Sequence, residues 1–109
     1  MKNKKQIREY FRLSVIERDK YTCKVCGSKS NDINYFDAHH ITDRSEMPNG
    51  GYVKENGITL CKLCHVKCEK YHISNGKEYE SGLHPDDLYL MINSSKEIAI
   101  KESEKLNKQ

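Results

Sequence analysis

Two Cys-x-x-Cys pairs, Cys23/Cys26 and Cys61/Cys64, constrain this chain more than any other feature of its 109 residues. Each pair lets a short turn present two sulfurs to one ion, and two pairs complete a closed tetrahedral zinc site of the structural kind. The 34 residues between Cys26 and Cys61 must then fold back over that centre, which a hairpin can do. A metal also answers a shortage of core. Only 36% of the residues are hydrophobic in a chain of 12.7 kDa, and a domain this small buries roughly 65% of its unfolded surface. Zinc binding contributes about 10–16 kcal/mol in finger peptides, comparable to the whole stability of a small domain. Lys24 and Lys62, beside the ligands, are candidate charge partners for the thiolates.

The fifth cysteine, Cys68, is either an inert buried thiol or an alternative ligand four residues past Cys64. An odd count fits disulfide pairing poorly. Residues 1–20 mix seven Lys or Arg with three acids and contain no uninterrupted apolar stretch, so no secretory signal is expected. No run reaches the roughly 18–20 apolar residues of a membrane span. The expectation is a reducing, cytoplasmic compartment with no membrane partner, where thiols bind metal more often than they form stable disulfides. Neither pair lies in a thioredoxin-like strand-to-helix context, which disfavours thiol redox chemistry.

The formal net charge of +3 is gathered at the front, while residues 80–109 carry four basic and six acidic side chains. That permits weak attraction between the N-terminal segment and nucleic acid, although a solvated helix of mixed charge reads the same way. Over residues 4–18, Ile7, Tyr10 or Phe11, Ser14, Val15 and Arg18 recur at three-to-four spacing and predict an amphipathic helix. Tyr35–Ile41 and Gly57–Leu60 predict two short strands. Between them, Pro48-Asn49-Gly50-Gly51 predicts a long loop. His65–His72 lacks Gly and Pro and predicts a helix. Pro85-Asp86-Asp87 opens another, with Leu88, Leu90, Met91 and Ile92 as its apolar side. Ser94-Ser95-Lys96-Glu97 reads as a capping box for a last helix to about Leu106. The class is α+β in one domain: a basic helix over 1–20, a zinc-knuckle core over 21–75 and a helical extension over 76–109.

A second, polar constellation remains: His39-His40, Asn56 and His65. Each has an ordinary structural account alone. Together they lie on the two segments that a metal at the cysteines would draw together, and strand geometry sends His39 and His40 to opposite faces. Asp37-Ala38-His39-His40-Ile41, then Asn56-Gly57-Ile58-Thr59-Leu60-Cys61, then Cys64-His65, resembles the HNH endonuclease family, with its ββα-metal or His-Me finger core. The upstream knuckle after Arg18-Asp19 resembles the zinc-knuckle branch of that family. The resemblance covers roughly residues 8–72, and His39–Cys61 is most similar to small HNH proteins encoded by bacteria and their phages.

The resemblance implies a small zinc-stabilised finger, a short hairpin plus a helix around a metal, flanked by N- and C-terminal helices. It implies that His40 is the general base, that His39 is a metal ligand, and that Asn56 fixes the orientation of the base. His65, nine residues beyond Asn56, is implied as the last ligand at the start of the finger helix. The implied partner is DNA, and the implied reaction is metal-dependent phosphodiester hydrolysis leaving 5′-phosphate and 3′-hydroxyl ends. Where some relatives carry a further histidine, four residues past the last ligand, this chain has Glu69. The third ligand is therefore an acid, a water or absent. Magnesium or manganese suits a carboxylate and water, whereas nickel or zinc suits histidine-rich coordination. His72 reads as a packing residue or a distant ligand, and His84 as a helix-start residue. Arg44 reads as a phosphate contact or a solvated loop residue, with the N-terminal basic residues as general phosphate contacts. The competing reading is a noncatalytic zinc-binding module for nucleic acid or protein, in which the histidines merely pack around the knuckles. The C-terminal helices are free to dimerise, bind a protein partner or cover the domain.

Overall fold

The computed structural model describes residues 3–108. In chain order it contains helix α1 (Lys4–Arg18), strands β1 (Phe36–His40) and β2 (Gly57–Cys61), and helices α2 (Lys62–Ile73), α3 (Pro85–Met91) and α4 (Lys96–Glu104). β1 and β2 pair antiparallel, with Phe36 opposite Cys61 and His40 opposite Gly57. The expected α+β class, a hairpin followed by a helix and flanked by terminal helices, is the observed one. Among the described residues no helix is long and apolar enough to cross a membrane.

Several boundaries differ from expectation for local reasons. Tyr35 is taken up by a 3₁₀ turn capped by Asp32, so β1 starts at Phe36. Ile41 lies just past the end of β1, although its N–H still donates to the Asn56 carbonyl opposite at 2.9 Å. The expected long loop is built of short 3₁₀ turns at Arg44–Glu46 and Lys54–Asn56, with a left-handed bend at Asn49 and Gly50 between them. Helix α2 begins at Lys62, three residues earlier than expected, because Cys61 ends β2 in extended geometry and serves as the N-cap. The last helix is capped by Ser95, whose side chain accepts from Ile98 N–H, so the expected box on Ser94 and Glu97 does not form. That helix ends at Glu104 and continues as a 3₁₀ turn. Helix α3 has the expected Pro85 start, with His84 as its cap: the His84 imidazole accepts from Asp86 N–H while Asp87 accepts from His84 N–H.

Helix α1 lies across the hairpin and buries Phe11, Val15 and Ile16, while Tyr10 is turned outward. The Arg18-Asp19 pair fastens the end of this helix to β2. Arg18 forks onto both Asp19 oxygens at 2.8 Å and donates to the carbonyls of Lys54 and Gly57. Asp19 in turn accepts from Thr59 N–H at 3.0 Å. These charge-assisted bonds fix the angle at which the helix crosses the hairpin. Ile58 and Leu60 of β2 join Ile16, Phe36, Ile41 and Leu88 in the core.

Helix α1 lies close against the hairpin at Gly57. A Cβ there would lie 2.4 Å from Val15 Cγ2 and 2.8 Å from Phe11 Cε1. The backbone at Gly57 is ordinary extended chain, so space and not conformation demands glycine. Gly57→Ala is expected to cost about 1–3 kcal/mol through overpacking, measured by urea denaturation. An unchanged midpoint would show that α1 does not press on the hairpin in this way.

Candidate metal centres and active site

The first centre is the set of four thiols. The sulfurs of Cys23, Cys26, Cys61 and Cys64 all lie within 4.8 Å of one another. Cys23 and Cys26 come from the turn after α1, Cys61 from the end of β2 and Cys64 from the first turn of α2. The Cys26 and Cys61 sulfurs are 3.7 Å apart. A tetrahedron with metal–sulfur bonds of about 2.3 Å has an edge of about 3.8 Å, so this spacing fits a structural metal, and an all-thiolate donor set is characteristic of zinc. Hydrogen bonding to Ser28 pulls the Cys26 thiol down to about 6, favouring the thiolate that a metal requires.

Cys68 is buried but outside this cluster, and burial pushes its thiol up to about 11. It is the inert core thiol of the two alternatives. Lys62, expected beside the thiolates, instead donates to Asp37 Oδ1 at 2.8 Å.

The second centre lies on the other side of the finger, between β1 and α2. Donor atoms of His39, His65 and Glu69 lie within 4.8 Å of one another. His39 is 2% exposed. Its Nδ1 is 3.2 Å from Glu69 Oε1 yet off the direction a hydrogen bond requires, leaving a buried nitrogen with no hydrogen-bond partner among the described residues. A buried orphan of this kind costs about 1–3 kcal/mol unless something satisfies it, and a metal ion between imidazole and carboxylate would. Burial pushes His39 down, toward the neutral imidazole that ligates. The adjacent His39 ring holds the Glu69 carboxyl down at about 2, so the carboxylate is ionised.

Hydrogen bonds fix the orientation of His65. Its Nδ1 is 2.9 Å from Asp37 Oδ2, and its Nε2 is 3.2 Å from Glu69 Oε1. Asp37 thus holds Nδ1 as the protonated nitrogen and frees Nε2 to face the cluster, a carboxylate–histidine arrangement that raises ligand basicity. Asp37, itself anchored by Lys62, was not singled out from the sequence. The available signal was alternation: Asp37 and His39 are two residues apart on β1 and share a face.

His40 points the opposite way, toward α1. Its ring stacks on Phe11 at 4.5 Å between centroids and 26° between planes, and Tyr52 meets it edge-on at 4.7 Å. This aromatic vice fixes the imidazole plane. Burial, then the neighbouring His39 and Arg44, push His40 down to about 4, so it is neutral near pH 7. Its Nε2 is buried without a hydrogen-bond partner among the described residues. His40 nevertheless lines the same cavity as His39, His65 and Glu69, a space of about 250 Å³ with Arg44 and His72 also on its wall.

Asn56 is fully buried. Its Oδ1 accepts from Thr42 N–H at 3.0 Å and from the Tyr89 hydroxyl at 2.7 Å, and its Nδ2 donates to the carbonyls of Thr42 and Gly51. Among the described residues no hydrogen bond joins Asn56 to the His40 ring. Asn56 instead holds the backbone at Thr42, two residues past His40. Gly51 is required opposite it, since its φ is +67° and a Cβ would fall 2.7 Å from Asn56 Nδ2.

His72 is not part of the metal-capable cluster. Its Nε2 lies 3.0 Å from the His40 carbonyl and its ring stacks on His39, so it props the strand end. Arg44 is exposed at the rim and donates to the Tyr52 hydroxyl at 3.0 Å.

Fold and site together define a ββα finger with two centres capable of holding metal, one closed by four thiols and one of mixed donors opening on a cavity. The model of the HNH endonuclease family matches residues 23–70, the segment that carries both centres, and members of that family are generally nucleases. No curated protein and no solved structure matches the chain.

Proposed function

We propose that this protein is a metal-dependent DNA endonuclease. In this reading His40 is the general base, His39, His65 and Glu69 hold a catalytic divalent ion, and the four thiols hold structural zinc. The observation that carries the reading is convergence: the neutral imidazole of His40, the imidazoles of His39 and His65 and the ionised carboxylate of Glu69 line one cavity, with His72 also on its wall. With a divalent ion bound there, Lewis-acid chemistry stabilises charge developing on the phosphate oxygens. The chain's own contribution is to hold and move a proton. Nε2 of His40 is sealed off, so Nδ1 is the nitrogen left to accept the proton of an attacking water. Phe11 and Tyr52 keep that imidazole in plane, and Asn56 keeps the strand end from shifting beneath it. Two imidazoles and one carboxylate admit magnesium or manganese as well as nickel or zinc.

The direct test is nicking of supercoiled plasmid by zinc-loaded protein with magnesium, manganese or nickel added in turn. Cleavage that depends on the second metal supports the reading. A folded, zinc-loaded protein that leaves plasmid intact under every metal would overturn it in favour of a binding module.

Asp37 provides a separate check. Asp37→Asn is expected to weaken binding of the second metal by about 10–100-fold, because His65 loses the carboxylate that sets its tautomer. Manganese titration followed calorimetrically measures this, with zinc content as the control. Unaltered manganese affinity would remove Asp37 from the role.

A further inference from the structure

A second hollow, of about 190 Å³, adjoins the first and shares Asp43 and His72 with it as a common wall. The rest of its lining is of two kinds. Tyr71, near the end of α2, and His84, just ahead of α3, bring rings that meet edge-on at 5.1 Å between centroids, and Pro85 continues this apolar side. The other kind is acidic: among the described residues the lining carries the carboxylates of Asp43, Glu46 and Asp86 against one lysine, Lys96. Asp43 is occupied, accepting from the N–H and the hydroxyl of Ser45. Glu46 is exposed and makes no side-chain hydrogen bond or ion pair among the described residues. Such a wall repels phosphate. Rings beside free carboxylates suit a flat group whose faces stack and whose edge carries N–H donors, and in a nucleic acid that group is a base. Guanine matches best, because its adjacent N1–H and N2–H donors fit the two oxygens of one carboxylate. Thymine offers a single N–H between two carbonyls. Pairing conceals these donors in a duplex, so the base must first leave the helix.

We propose that this second hollow receives an unpaired guanine of the DNA strand beside the bond that His40 addresses, stacked against Tyr71 and held at its pairing edge by the Glu46 and Asp86 carboxylates. This deepens the nuclease reading and rests on it. Because the two hollows share a wall, a base in one and a phosphate in the other can belong to adjoining nucleotides. The site also gives the C-terminal extension a task, since His84, Pro85 and Asp86 all lie beyond the finger. Its preferred targets are bulged, mismatched or single-stranded positions, where taking a base out of the stack costs least.

The test uses fluorescence anisotropy to compare three labelled duplexes on zinc-loaded full-length protein, with no second metal added. One is fully paired, one carries a single extrahelical guanine, and one carries an extrahelical thymine at the same place. Wild-type protein is expected to bind the guanine bulge about tenfold more tightly than the thymine bulge, the discrimination of one bidentate base contact. The double variant Glu46→Gln/Asp86→Asn is expected to bring that ratio below about two. Both positions are exposed, so the fold should tolerate it. Losing two negative charges strengthens binding of every duplex alike, which is why the ratio and not the affinity is the readout. Tyr71→Leu, checked by zinc content and circular dichroism, is expected to weaken both bulged duplexes about tenfold relative to the paired one, through lost stacking. Equal wild-type affinity for the two bulges, or a guanine preference that survives the double variant, would overturn the base site. If wild-type protein still nicks plasmid with a second metal in either case, the nuclease reading stands without it. If wild-type protein binds no duplex and nicks no plasmid, both fall.

Discussion

His40→Ala is expected to slow plasmid nicking by about 10²–10⁴-fold, the usual cost of deleting a general base, while zinc content stays normal. The expectation rests on where the side chain is and on what surrounds it. Burial above all, with the nearby Arg44 guanidinium, holds the imidazole neutral, and its ring is pinned between Phe11 and Tyr52. The four thiols lie on other segments of the finger, so deleting this ring leaves their spacing unchanged. Circular dichroism should show a folded variant, separating lost chemistry from lost structure. Nicking at the wild-type rate would mean that another group takes the proton and that His40 merely fills space between two aromatic rings.

Removal of the metal from the four-cysteine centre is expected to unfold the domain. The effect is the largest predicted for this chain, because apparent zinc-binding energies of about 10–16 kcal/mol equal or exceed the total stability of a domain this size. The centre joins the turn after α1 to β2 and the start of α2, segments that few other strong contacts connect. Lys24 N–H to the Thr59 carbonyl, at 3.0 Å, is one such contact. A strong chelator should therefore abolish the cooperative thermal transition seen by circular dichroism, and zinc should restore it. Cys64→Ser is expected to behave like chelated protein. A chelated chain that still melts cooperatively at the original temperature would show that the apolar core suffices alone.

Local chemistry made much of this fold readable in advance. Helical spacing marked α1, aromatic and β-branched runs between turn formers marked the hairpin, and the knuckle spacing demanded that its two ends meet. Proline with two acids marked α3. Glu69 was legible as a donor because it stands four residues after His65 and so shares its helix face. Less legible were residues whose role exists only after folding. Phe11 looks like any apolar position on an amphipathic helix, and nothing local to Tyr52 or Tyr89 distinguishes them from packing aromatics. Their partners are distant: Tyr89 reaches Asn56 across 33 positions. Asn56 itself was identifiable by resemblance, yet its bonds to Thr42, Gly51 and Tyr89 are ones that no spacing rule encodes. The capping box at Ser94 failed for a simpler reason. Two adjacent serines offered two registers, and the packed helix took the later one.

The Tyr89 hydroxyl on Asn56 bears on what could be transplanted. A cassette cut to the matched segment, residues 23–70, would carry both metal-capable centres yet arrive in a new host without the Phe11 ring beneath His40 and with one of the hydrogen bonds to the buried Asn56 oxygen missing. Anyone grafting this finger onto another scaffold, or shortening it for display, would have to supply an aromatic platform and a buried hydroxyl from the recipient. The portable unit is therefore a finger together with its two helical braces, and its modularity is narrower than its motif.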